Sequence, residues 1–429
     1  MTSRFLLLLS LLTLSTSLLA QEEEKPSYEL GGFVELDQIS YFNPQNEFQT
    51  WSRNQGILQL ELSGRQTEAL SFFTGIEIRN DLSDPNRNRV FVDEAYIDIE
   101  QGKFDLRAGK QLITWGRADA VNFTDNLNPI DFSDFLDTED EKIGVWSTHL
   151  KYYPGRWTLE SVVIPVFNAS LLPQANSPWL ALDPTVEVFP GTFLNATYQF
   201  NEAVQPPKDW RGAQYAFKAG SYIGSWDFSF SYYNGYNDVP RFLQQAAAIS
   251  PDTVLISLTP GYHPWEVWGF DFSTTKAGFG LRGEAAYFLP QEISAVDFPV
   301  DEPFFQYAVG LDRNFANTVG SNNLFVIVQW MHEFRKGDVR YPADDLNHIF
   351  QESLLARMEL ELGYVGTLSM QGVYNFYGED FYLQPEFKYQ FGGGLNLSVR
   401  ADILGGEQKG FFGQYRKNDR LQVRLKYNF

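Results

Sequence analysis

The sequence predicts an all-β fold, a transmembrane antiparallel β-barrel of about 18 strands. Three observations predict it: a leader-like amino terminus, segments that alternate apolar and polar residues along the chain, and a last strand that ends on an aromatic residue. Barrel strands alternate in this way because one face meets lipid and the other meets the lumen. Sixteen strands is the alternative, since boundaries inferred from pattern shift by a few residues.

The amino terminus resembles a secretory signal peptide. Arg4 precedes the apolar run 5–14, small and polar residues follow, and cleavage after Ala20 is expected. The apolar run is too short to cross a bilayer as a helix. No linker rich in Pro, Ser or Gly divides the rest, so we expect a signal peptide over 1–20 and one barrel domain over 21–429.

Composition favours an exported barrel over a soluble protein. Aromatic residues make up 16% of the chain, yet the mean hydropathy is −0.28. Strands with one face in lipid and the other in water produce that mixture of residues. A soluble β-sandwich rich in aromatic residues is the simpler alternative. The net charge of −21 argues against nucleic acid as a partner and predicts a mild preference for cations. With no cysteine, neither a disulfide framework nor a lipid-anchored amino terminus is expected.

The connections between alternating segments fall into two classes. Short connections with the residue chemistry of tight turns include 102–103, 154–156, 223–225, 274–276 and 392–394. Outer-membrane barrels have short periplasmic turns and long outer loops. The expected long loops are 42–54, 81–89, 116–142, 165–210, 235–262, 290–303, 335–350 and 403–418.

This layout leads to two further expectations. The two classes alternate along the chain only if 165–210 is a single outer excursion, within which Phe193 to Phe200 forms a strand or a short helix folded into the lumen. A sheet in hydrocarbon cannot leave an unpaired edge, so the first strand, around 28–36, is expected to pair with the last.

The carboxyl-terminal strand alternates without exception. Leu421, Val423, Leu425, Tyr427 and Phe429 fall on one face, and polar residues fall between them. The terminal aromatic resembles the signal by which the β-barrel assembly machinery recognises outer-membrane barrels. We therefore expect Tyr427 and Phe429 to serve as an assembly signal.

One segment resembles a hallmark of the bacterial outer-membrane family DUF1302. Family members carry a strand ending G-(K/R)-Q-x-x-x-W-G, then a loop with N-P-x-D. The matching residues are Gly109, Lys110, Gln111, Trp115, Gly116, Asn128, Pro129 and Asp131. The resemblance implies a porin-type barrel in the cell outer membrane of a Gram-negative bacterium, and members are often associated with transport.

The same segment supplies the candidate pore residues. Gly116 allows a sharp turn after the strand, and we expect the loop 116–142 to fold back into the barrel and narrow it. Trp115 is expected near the outer interface, where Trp is favoured. The alternative is that the charges of the loop only fix it to the wall by salt bridges. The candidates for the pore or constriction are Arg107, Lys110, Arg117, Asp119, Asp125 and Asp131.

No catalytic, cofactor or metal site is predicted. The chain has four histidines, but neither a Gly-x-Ser-x-Gly elbow nor a His-Glu-x-x-His motif, so we expect no enzyme activity. The acidic run 131–141 lacks EF-hand spacing. We expect it to be solvated, or bridged by divalent ions to lipopolysaccharide.

These observations predict a passive outer-membrane channel for small hydrophilic or amphipathic solutes. The expected partners are outer-membrane lipid and lipopolysaccharide, the assembly machinery and the solutes themselves. The alternative is a plugged barrel that works in an export or lipid-trafficking assembly beside a periplasmic transport partner.

Overall fold

A computed structural model describes residues 26–42, 52–119, 121–137, 142–174, 177–293, 298–337, 341–343 and 345–429. The predicted signal peptide, residues 1–20, lies outside these ranges. Within them, no helix is both long and apolar enough to cross a membrane.

Strands make up most of the described chain. In chain order they are β1 (Ser27–Tyr41), β2 (Ser52–Thr67), β3 (Leu70–Asp81), β4 (Arg89–Gln101), β5 (Phe104–Gln111), β6 (Val145–Tyr152), β7 (Thr158–Ile164), β8 (Thr185–Phe189), β9 (Thr192–Phe200), β10 (Gln214–Ile223), β11 (Trp226–Tyr236), β12 (Arg241–Ser250), β13 (Thr253–Gly261), β14 (Pro264–Lys276), β15 (Phe279–Pro290), β16 (Phe304–Val319), β17 (Asn322–Arg335), β18 (Glu352–Leu362), β19 (Gly366–Asn375), β20 (Asp380–Gly392), β21 (Leu395–Gly406) and β22 (Arg420–Asn428). The described helices are short: α1 (Phe411–Gln414) and the 3-10 turns Pro85–Arg87, Trp210–Gly212 and Leu346–His348.

Eighteen of these strands form one closed antiparallel barrel. β1 pairs with β2 on one side and with β22 on the other, from Phe33 opposite Asn428 to Tyr41 opposite Arg420. Closure satisfies the backbone groups that an open sheet would expose to hydrocarbon. The predictions of 18 strands and of pairing between the first and last strands are both confirmed.

Short turns and long loops lie at opposite ends of the barrel. The described chain begins its first strand and ends its last strand at the short-turn end, which is the periplasmic end by the usual rule for such barrels. The turn predicted at 274–276 falls instead at Ala277 and Gly278, whose φ angles are 53° and 79°. Residues 274–276 still belong to β14. The two-residue hairpin turn needs positive φ at both central positions, which glycine adopts readily, so the turn forms where Gly278 stands.

The barrel wall has an apolar outer face. Leu36 and Leu425 point outward with 56% and 40% of their surface exposed, whereas Glu35, Asp37 and Arg424 point inward and are buried. The same alternation recurs around the sheet. A closed barrel with this belt is a multi-pass protein of the outer membrane.

A second sheet of four strands stands apart from the barrel sheet. It is built from β8 and β9, which lie between β7 and β10, and from β12 and β13, which lie between β11 and β14. β9 and β13 run parallel, with Thr253 opposite Asn195. The excursion 165–210 therefore adds no strand to the barrel, as predicted, and Phe193 to Phe200 forms a strand of this second sheet rather than a lumen helix.

The outer half of the lumen contains a hydrophobic core, which the sequence analysis did not predict. Each barrel strand from β6 to β21 contributes at least one buried, inward-facing apolar residue. These pack with Phe123 and Leu136 of the 112–144 loop, with Trp179 of the next long loop, and with Phe411 of α1. Close packing of this kind fixes the loops against the wall.

Candidate functional site

The segment between β5 and β6, residues 112–144, is called the inward loop, because its described residues (112–119, 121–137 and 142–144) enter the lumen. Gly116 has a φ of 89°, and a Cβ there would lie 2.7 Å from a carboxylate oxygen of Glu284. The side chain of Asn128 closes the neck of the loop: its oxygen accepts from the Ile113 amide at 2.8 Å and its amide donates to the Ile143 carbonyl at 2.8 Å. The residues shared with the family motif thus start and fasten the loop.

The first arm of the loop, residues 117–124, contacts the wall formed by β14, β15 and β17. Arg117 donates to Asp271 at 2.6 Å and to Ser273 at 3.0 Å. Ser273 lies four residues before Ala277, at the periplasmic turn. The arm therefore reaches deep into the barrel from the outer end.

The same arm makes further polar contacts. The Asp119 carboxylate accepts from Arg282 of β15, and the Asp119 amide donates to Gln329 of β17 at 3.2 Å. The hydroxyl and the amide of Thr124 donate to Glu284, at 2.5 Å and 3.2 Å. Ion pairs and hydrogen bonds together hold the arm against three wall strands.

The second arm, residues 131–137, lies against the opposite wall. Asp134 Oδ2 accepts from Arg53 of β2 at 2.8 Å and from Arg420 of β22 at 2.7 Å. Burial by itself would raise the pKa of Asp134, but the surrounding arginines hold it well below its usual range. Asp131 pairs with Arg89 of β4 at 2.8 Å.

Asp137 completes this second anchor. It lies 3.5 Å from Arg424 of β22 and 3.4 Å from Arg87, which follows β3. Burial opposes ionisation, but Arg424 and Arg87 outweigh it and lower the pKa of Asp137 to about 2. The inward loop is therefore held at two opposite walls, and at the second wall arginines keep the carboxylates of Asp134 and Asp137 in the charged form.

Two candidates hold other positions. Asp125 pairs with Lys142 inside the inward loop, and burial raises the pKa of Asp125 despite that ammonium group. Arg107 lies on the inner face of β5, where it donates to Asp98 at 2.7 and 2.9 Å and covers the Tyr96 ring at 3.8 Å.

Lys110 alternates with Arg107 along β5, so it lies on the other face of the strand. It pairs across the sheet with Ala95 and Trp146, and its ammonium group donates to the Val92 carbonyl. Of the six candidates, Arg117, Asp119, Asp125 and Asp131 share the inward loop. Arg107 lies on the inner face of the barrel wall rather than in this loop, and Lys110 lies on the outer face of the wall.

Two expectations about this region were wrong. Trp115 does not lie at the membrane interface but is buried in the lumen core, where its ring nitrogen lies 3.4 Å from Glu160. The described part of the acidic run is not solvated, because Asp131, Asp134 and Asp137 are taken up by wall arginines. Residues 139–141 of that run lie outside the described residues.

Three further residues of this anchor were not predicted from the sequence: Arg53, Arg420 and Asp402. Arg420 is fully buried and bridges Asp134 and Asp402, each at 2.7 Å. The sequence did contain a signal for them: each of these strands carries a charged residue at a lumen-facing position close to the outer rim of the barrel. Such a charge needs a partner from a loop, because it cannot face the packed core alone.

A polar cavity of about 370 Å³ lies beneath the first arm, at the periplasmic end. It is open on one side, and two arginines of the ion pairs described above contribute to its wall. Its lining residues are Arg117, Ser225, Asp227, Ser273, Thr274, Thr275 and Arg282.

Several solved structures share this architecture. The crystal structure of Pseudomonas aeruginosa OccK11 (OpdR) has 10% sequence identity and a TM-score of 0.51, over 96% of this chain and 99% of that one. A mutant Rh. blastica porin has 12% identity and a TM-score of 0.44, over 94% of this chain and all of that one. At 10% identity the likeness to OccK11 concerns the fold alone, which is that of a porin-type barrel.

Sequence comparison identifies the family. Among curated proteins, none matches this chain. A family model described as a protein of unknown function, DUF1302, matches residues 37–339. That span includes the strand and loop motif, both arms of the inward loop and the polar cavity. It also covers more than half of the chain, and the chain therefore belongs to the DUF1302 family.

Proposed function

We propose that this protein is a non-enzymatic, porin-type channel for small solutes, narrowed by the inward loop. The single observation that supports this is the attachment of the loop at both walls, through Asp134 on one side and Arg117 on the other. A segment tied across the lumen reduces the cross-section that an 18-stranded barrel would otherwise leave open.

The path of least obstruction runs beside the first arm. Arg117 and Arg282 keep 32% and 37% of their side-chain surface exposed, whereas Arg420 and Asp134 of the second arm are buried. The polar cavity lies directly below the exposed pairs. Solutes that cross the barrel would therefore pass alongside the first arm, over the exposed guanidinium groups of Arg117 and Arg282.

The test is single-channel conductance of mature protein refolded into planar bilayers. Because the chain has no cysteine, Thr275→Cys introduces one reactive thiol in the cavity. Modification with a charged methanethiosulfonate is expected to change the conductance. Val309→Cys, on the outer face of β16, is the matched control and should give no change.

A second candidate function has its own support. The hydrophobic core of the outer lumen could close the barrel, which would fit a plugged component of an export or hydrophobe-trafficking assembly. Verified barrels that stay silent in bilayers, and that co-purify with a periplasmic protein, would favour this candidate over the channel.

A further inference from the structure

The polar cavity has the composition of a site for a small oxyanion. Its lining carries two guanidinium groups, from Arg117 and Arg282, against one carboxylate, from Asp227. Two counter-charges of the arginines stand behind the lining, since Asp271 has 1% of its side chain exposed and Asp312 has 14%. A third, Asp119, pairs with Arg282 and is 26% exposed. Among the lining residues themselves, cationic side chains therefore outnumber anionic ones, although the chain as a whole is acidic.

The two arginines retain unused donors. Arg117 uses Nε for Asp271 and Nη1 for Ser273, and Arg282 uses Nη1 for Asp119 and turns Nε toward Asp312 at 3.4 Å. Among the described residues, neither Nη2 group has a hydrogen-bond partner. Guanidinium groups bind carboxylate and phosphate oxygens through such paired N–H donors.

Hydroxyl groups complete the lining. Ser225, Ser273, Thr274 and Thr275 also line the cavity. Ser273 accepts from Arg117 and Thr274 donates to Ser225, and hydroxyls of this kind donate readily to anions. The volume leaves room for a small organic anion. A hydroxylated carboxylate matches both the charge and the hydroxyl content of the wall.

We propose that this cavity is a binding site for small oxyanions, carboxylates or phosphates, held by Arg117 and Arg282 on the periplasmic side of the inward loop. The bound anion competes with Asp119 for the guanidinium group of Arg282. This inference builds on the proposed channel function, for which it defines a class of solute, but binding at the site does not require conduction.

Binding is measured without conduction, by line broadening of ¹³C-malate in NMR spectra of the full mature barrel in detergent. Inorganic phosphate is the second probe and separates carboxylate from phosphate recognition. Xylitol, a neutral polyol of similar size, is the control ligand. Malate, phosphate or both should broaden with a saturable dependence on barrel concentration, and xylitol should not.

Variants assign the binding to the cavity. Arg282→Gln is expected to weaken malate binding by about tenfold or more, the loss typical of a charged hydrogen bond. Thr275→Val, which leaves the loop contacts intact, should weaken it by about fivefold. Lys388→Gln removes a lumen charge on β20, outside the cavity, and should leave binding unchanged.

Asp119→Asn gives the sharpest result, because removing the competing carboxylate should tighten malate binding, and damage to the fold would not do so. Equal binding in the parent and in Arg282→Gln, or equal broadening by xylitol, would overturn the proposal. Conductance separates the two proposals: a silent barrel that still binds malate keeps the site and rejects the channel. A conducting barrel that binds neither anion does the reverse.

Discussion

Asp134 and Arg420, 286 positions apart in sequence, are joined by a 2.7 Å ion pair that ties the inward loop to the strand that closes the barrel. Both side chains are buried, and Asp134 also binds Arg53. One carboxylate therefore links the loop to β2 and β22, the two strands that flank β1. Loop placement and barrel closure depend on the same residue.

Asp134→Asn is expected to lower the free energy of unfolding by about 3–5 kcal/mol, because it leaves two buried guanidinium groups without that charge. Reversible guanidinium chloride unfolding in detergent, followed by tryptophan fluorescence, measures the change. Asp209→Asn is the control, since Asp209 forms an exposed pair with Arg211 and should change little. Equal stability of Asp134→Asn and the parent would show that this pair does not anchor the loop.

Arg117 of the inward loop and Asp271 of the wall strand β14 should be energetically coupled. In a double-mutant cycle with Arg117→Gln and Asp271→Asn, we expect a coupling energy of roughly 1–3 kcal/mol, because Asp271 is buried and the pair lies 2.6 Å apart. The exposed pair Arg357 and Glu359 is the comparison and should couple by about 1 kcal/mol or less. Coupling near zero for Arg117 and Asp271 would contradict the first anchor of the loop.

Much of the architecture could be predicted from alternation alone. Strand number, closure, the separate excursion 165–210 and the inward turn after Gly116 all follow from residues that act locally. Alternation also predicts which side chains face lipid and which face the lumen, because a shift of one residue along a strand moves a side chain from one face to the other. On β15, alternation places Arg282 and Glu284 on the lumen face, where both contact the inward loop.

The lumen core and the second sheet could not be predicted in this way. Val267 and Phe288 point inward where the barrel pattern expects polar residues, and loops from distant parts of the chain cover them. Runs such as Ala285 to Phe288, apolar on both faces, were the available signal. The predicted cation preference stays a prediction, because pairing with arginines leaves the net charge of the chain a poor guide to the charge of the lumen.

A pH-dependent contact is expected among the outer loops. His348 lies 2.7 Å from Glu333 of β17 and 3.6 Å from Asp301, which Arg241 of the second sheet also binds. Burial lowers the pKa of His348, but Asp301 and Glu333 outweigh it and raise the pKa above the ordinary value. For Asp301, His348 and Arg241 outweigh burial and lower the pKa.

The sign of the pH effect follows from these directions. The His348 contribution is complete below the ordinary histidine pKa and is lost as pH rises through the elevated folded value. The Asp301 contribution is present above its ordinary pKa and is lost only as pH falls through a lower folded value. Hydrogen exchange in the described residues 298–303 and 345–351 should therefore be slower at pH 6 than at pH 9, after correction for intrinsic rates. His348→Gln should remove most of that difference; an unchanged difference would assign it to another group.

The carboxyl terminus gives the last prediction. The Phe429 amide donates to the Gly32 carbonyl at 3.0 Å, and the side chains of Tyr427 and Phe429 point outward, each about half exposed. Backbone pairing closes the barrel whatever the side chain, so Phe429→Ala should leave refolding in detergent nearly unchanged. A recognition signal, in contrast, depends on the side chain.

Phe429→Ala and Tyr427→Ala are therefore expected to reduce the amount of folded barrel in the outer membrane of cells, measured by heat-modifiable mobility on gels. Phe391→Ala is the matched control, because Phe391 is another outward aromatic near the periplasmic end. If all three variants lower the yield equally, in cells and in detergent alike, then aromatic contact with lipid explains the loss. Only a defect confined to cells and to the terminal pair supports recognition by the assembly machinery.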